Sequence, residues 1–85
     1  MKVNAAYADM TPIEIRVAIL RALTTQAEIA WTAGCSRAMV CHVIDGKLVS
    51  DRIRRTIADA IGIPVENVWR AYYLSQKETG DRRFS

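Results

Sequence analysis

The sequence holds little cysteine, proline, glycine or histidine: two Cys, two Pro, four Gly and one His among 85 residues. Two cysteines cannot build a disulfide scaffold, and the pattern fits a reducing, cytoplasmic compartment. One His and scattered acids provide no nucleophile–base set, no paired carboxylates and no phosphate-cradling loop. The expectation is a protein without catalytic residues or cofactor, and not an enzyme. Cys35, Cys41 and His42 lack paired-cysteine spacing and an evident fourth ligand, so no metal site is expected. No apolar run approaches the length of a membrane span, and Met1-Lys2-Val3-Asn4 does not open a secretory signal. Alternating apolar and polar runs are scarce, which argues against strands.

What remains is 51% hydrophobic and 25% charged, a globular balance for one small domain. The net charge is +3, and its placement is uneven. Between Arg37 and Arg55 lie five bases and two acids; elsewhere seven of each cancel. A localised basic segment points to an anionic partner, nucleic acid first, although an Arg-rich solvated helix face carries the same count.

The helix signals are local and explicit. Thr11-Pro12-Ile13-Glu14 combines an N-cap, a first-position proline and a capping-box acid, predicting a helix to about Leu23. Thr25 caps a second helix, Gln26 to about Thr32, which Gly34 ends in a left-handed conformation. Ser36 caps a third helix to about Ile44, closed by Asp45-Gly46. Ser50 caps a fourth, Asp51 to about Ile61, whose stripe is Ile53, Ile57, Ala58 and Ile61 and whose stop is Gly62. Pro64 opens a fifth helix, with Val65, Val68, Trp69 and Tyr72 on one face. The fold class is all-α, five helices, with residues 1–10 as an arm, 11–74 as the domain and 75–85 as a polar tail.

The segment Thr25 to Val40 has the spacing Gln-x-x-Ile-Ala-x-x-x-Gly-x-Ser. Gly34 permits the turn. Small Ala30 lets two helices approach. Cys35 fills the wedge between them, and Ser36 points the next helix outward. On these residues the chain resembles the lambda-repressor/Cro-like helix-turn-helix domains of the xenobiotic-response-element type, from about Ile15 to Trp69. The stretch Ile57 to Trp69 also resembles the end of phage Ner-type regulators. The resemblance implies a sequence-specific DNA-binding regulator, a phage or prophage-type repressor in a bacterial cytoplasm, acting as a homodimer on an inverted repeat of double-stranded DNA. An antitoxin of the same fold and a protein-interaction module without DNA readout are the alternatives. It implies phosphate contact for Gln26, base or backbone contact for Ser36, Arg37 and Ala38, and base contact for His42. Cys41 shares that helix, and Lys47 and Arg52 match positions near phosphates. Arg37 can pair with guanine acceptors and Ala38 with a thymine methyl.

Two departures stand out. An arginine–glutamate pair common in that family falls here on Ile19 and Ile44, a matched apolar swap that predicts their packing together. Trp31 falls where the family exposes a residue. It has two expected uses, packing under the arm against Val3 or Tyr7, or meeting a partner. Trp69, Tyr72 and Tyr73 are the expected dimer interface, with Trp69 also a candidate for the core.

Overall fold

Each of the first four helices begins on a hydroxyl side chain. The computed structural model describes residues 8–75. In α1 (Pro12–Arg21) the Glu14 backbone N–H donates to Thr11 Oγ1 at 3.1 Å, and the Thr11 N–H donates to Glu14 Oε1 at 2.8 Å. That reciprocal pair satisfies two of the donors a helix start leaves open. Thr25 receives the Glu28 N–H at the head of α2 (Gln26–Ala33), Ser36 the Met39 N–H at α3 (Arg37–Ile44), and Ser50 the Ile53 N–H at α4 (Asp51–Ile61). Gly34 and Gly62 end α2 and α4 at φ +73° and +74°, the left-handed region that glycine enters without strain.

The C-terminal part departs from the single fifth helix expected from its spacing. α5 (Val65–Val68) is one turn. At Trp69 the backbone leaves helical geometry (φ −117°, ψ 69°), and the chain is helical again over residues 70–75, α6. The described residues therefore hold six helical segments and no strand. A continuous helix would align Val65, Val68, Trp69 and Tyr72. The break instead leaves Trp69 in the core at 4% exposure and Tyr72 exposed, and Tyr73 turns back onto α4. Of the expected arm, residues 1–7 lie outside the described part. Asp9 and Met10 are tied down: the Met10 N–H donates to Val68 O at 3.0 Å, and Asp9 Oδ1 accepts from the Ala71 N–H at 2.9 Å. Val3, Tyr7 and tail residues 76–85 also lie outside it.

α4 is the central element. It packs against α1, α2, α3 and α5, and α2 packs additionally on α3. The buried cluster draws Ile15 and Ile19 from α1, Ile29 and Ala30 from α2, and Val40, Val43 and Ile44 from α3. Ile53 and Ile57 complete it from α4, with Val68 and Trp69 beyond. Ile19 and Ile44 are thus both core residues. An ion pair joins α1 to the end of α3. Arg16 Nη1 lies 2.9 Å from Asp45 Oδ1, at the half-exposed edge of the molecule.

Candidate nucleic-acid interface

Three residues, Gly34, Cys35 and Ser36, separate α2 from α3. The Cys35 N–H returns to Ala30 O at 3.0 Å and the Gly34 N–H to Trp31 O at 3.2 Å, so the end of α2 folds directly into the turn. Ala30 and Ala33 are buried and Cys35 packs against the core, keeping the two helices close. Within α3, Val40, Val43 and Ile44 face inward. Ser36, Arg37, Ala38 and His42 are all exposed, and Ala38 and His42, four apart, share the outer face of the helix.

The neighbours of that face are basic and polar. Gln26, at the first position of α2, is half-buried and lines one concavity with Arg37, Arg16 and Thr25. The expected phosphate-contacting Gln26 and base-facing Arg37 are therefore brought together. Arg52, on the first turn of α4, places its guanidinium beside the turn; a Cβ on Gly34 would lie 3.7 Å from Arg52 Nη1. Lys47 follows α3 and is exposed. Among the described residues Arg37, Lys47 and Arg52 form no salt bridge.

Cys41 has a different placement from the DNA contact expected of it. Its Sγ accepts from Arg16 Nη2 at 3.3 Å, and its S–H donates to Asp45 Oδ2 at 3.6 Å. The thiol is engaged in the α1–α3 ion pair, on the flank of α3 facing α1. The hydrogen bond from Arg16 holds the Asp45 carboxyl below the ordinary carboxylate range, and the same bond raises the arginine. Among the described residues no three His, Cys, Asp or Glu side chains assemble as metal ligands, and no helix is long and apolar enough to cross a membrane.

Two bases of the Arg37–Arg55 segment also depart from a simple basic face. Arg55 Nε is paired with Asp51 Oδ2 at 2.8 Å. Arg54 is 8% exposed, and its guanidinium lies 5.2 Å from the Trp69 ring centroid, 5.2 Å from Tyr72 and 5.9 Å from Tyr73. Among the described residues its Nε and Nη1 have no hydrogen-bond partner. The sequence counts Arg54 as surface charge, but the signal for burial was present: Arg54, Ala58 and Ile61 share helical spacing beside Ile53 and Ile57. The exposed bases of that segment that form no salt bridge among the described residues are therefore Arg37, Lys47 and Arg52.

Of the aromatic residues expected at a dimer interface, Trp69 is enclosed in the core and offers almost no surface. The Tyr73 hydroxyl donates to Asp51 Oδ1 at 2.6 Å, and its ring meets that of Tyr72 edge-on at 4.9 Å. This bond is the largest influence holding Asp51 below the carboxylate range, with Arg55 adding to it. Burial, and then the bond to Asp51, raises the Tyr73 phenol. Trp31 is 87% exposed among the described residues. Comparison of the chain with family models, curated proteins and solved structures returned no match.

Proposed function

We propose that the protein is a sequence-specific DNA-binding transcriptional regulator of the lambda-repressor/Cro-like helix-turn-helix kind, acting by binding rather than catalysis. The supporting observation is the outer face of α3. Ser36, Arg37, Ala38 and His42 are solvent-facing on a helix whose opposite face is core, with Gln26, Lys47 and Arg52 beside it. A helix presented in this way fits the major groove, where Arg37 pairs with guanine and Ala38 meets a thymine methyl. The amide ends of α2 and α4, with Lys47 and Arg52, suit the flanking phosphates.

A homodimer on an inverted repeat is part of the proposal, with occlusion of polymerase or of another regulator as the mechanism. A phage or prophage repressor is the context that the resemblance implies. Selection of binding sites from random duplex DNA tests it. Enrichment of an inverted repeat is the expected result; no enrichment by a folded sample refutes DNA readout.

Trp31 supports a second reading, a protein-interaction module. Among the described residues Trp31 is 87% exposed, and a tryptophan so placed suits an anchor in a partner's pocket. Salt separates the two. DNA affinity falls steeply as salt rises because phosphate binding releases counterions, whereas capture of a protein through Trp31 is far less sensitive.

A further inference from the structure

α1 is apolar on two sides. Ile15 and Ile19 face the core, while Ile13 (73% exposed), Val17 and Leu20 (71% exposed) form an outer stripe at helical spacing. An apolar stripe on the outer side of a helix already packed on its inner side is a surface that partners cover. Beside the stripe runs a groove of about 580 Å³ whose far wall is Ile61 and Ile63. Its near wall is α1 itself, through Ile13, Glu14, Val17, Ala18, Arg21 and Ala22.

These six residues are self-complementary about one point, between Val17 and Ala18. Turning a second α1 antiparallel about that point sets Glu14 against Arg21, Val17 against Ala18, and Ile13 against Ala22. Each acid meets a base and each large side chain meets a small one, twice over, as a two-fold interface demands. We infer that this face of α1 binds a second copy of the chain, with the Glu14–Arg21 pairs at the edges fixing the antiparallel register. The inference deepens the homodimer part of the proposed function and moves its interface from the C-terminal aromatic residues to α1. It does not depend on DNA.

The test is the oligomeric state in the absence of DNA, by sedimentation. The parent is expected to dimerise. Arg21→Glu sets like charges together across the axis and is expected to weaken self-association by about tenfold or more, with its helicity checked because Arg21 is the base in the last turn of α1. Glu14→Arg is expected to do the same, with its helicity checked by circular dichroism because Glu14 also closes the capping box. Mixed one to one, the two variants have opposite charges at both contacts and are expected to form a heterodimer. A monomeric parent overturns the inference. So does a dimer indifferent to Arg21→Glu, or a mixture of folded variants that fails to associate. Site selection on DNA stands apart from all three outcomes.

Discussion

The guanidinium of Arg54 lies 5.2 Å from the Trp69 ring centroid, inside the fold rather than on its surface. Its delocalised, weakly hydrated charge tolerates that site; a compact ammonium does not. Desolvated cation–aromatic contacts are worth about 2 kcal/mol. Arg54→Lys should therefore lower stability by about 1–2 kcal/mol in urea unfolding. Arg54→Met, which removes the unpaired nitrogens along with the charge, should cost less than the lysine variant. A lysine variant as stable as the parent would show that the planar group matters little.

Arg37 and Arg52 should separate in DNA binding. Arg37→Ala should weaken binding to the selected site by about 1–3 kcal/mol and relax one base position. Arg52→Ala should weaken binding to all sequences alike and reduce the salt slope by about one. Binding isotherms on selected and scrambled duplexes over a salt series read both. An unchanged base preference in the first variant removes Arg37 from base reading.

Ile19 and Ile44 are both buried in the core, each at 3% exposure. Ile19→Ala and Ile44→Ala should each cost about 2–5 kcal/mol. Simultaneous replacement of both by Asp should leave the chain unfolded by far-ultraviolet circular dichroism, since two carboxylates would enter a core that offers them no partner. A helical, soluble double variant contradicts the packing.

Stability should fall on the acid side and, separately, on the alkaline side. Asp45 and Asp51 are held below the ordinary carboxylate range of about 3.9 by Arg16 and by Tyr73 with Arg55. Folding therefore favours their ionised forms. The contribution is present above the unfolded carboxylate pKa and is lost as pH falls through the lowered values. Asp51 is exposed and Asp45 half-exposed, so the change is modest. The Tyr73 phenol is raised, so its contribution is full below about pH 10 and disappears as pH climbs through the folded value. Urea midpoints against pH should show both limbs. Asp51→Asn should flatten the acid limb, and an unaltered limb would exclude Asp51 as a source.

Most helix boundaries were legible because a helix start is set by a few adjacent groups. Thr11, Thr25, Ser36 and Ser50 each cap as their sequence context predicts, and Gly34 and Gly62 take positive φ. The break at Trp69 was not legible. It carries neither glycine nor proline, and the apolar spacing from Val65 to Tyr72 suits an unbroken helix. Only the tertiary demand that the Trp69 ring enter the core distinguishes the two. In the candidate interface, the exposure of Ser36, Arg37, Ala38 and His42 followed from the buried spacing of Val40, Val43 and Ile44. The capture of Cys41 by Arg16 and Asp45 depends on residues 25 and 4 positions away. Its longer link, from α1 to α3, is set by tertiary packing rather than by local periodicity.

The bond from Ala71 to Asp9 joins positions 62 residues apart, and the Met10–Val68 bond lies beside it. The α2–α3 unit closes over a few residues, but this clasp must close a loop nearly as long as the fold, at a larger entropic cost. On folding it is the contact that waits, and local helix pairing precedes it. In the native state a fluctuation that frees the Met10 amide also frees the stretch around Ala71, so these two distant amides should exchange their hydrogens through one shared opening.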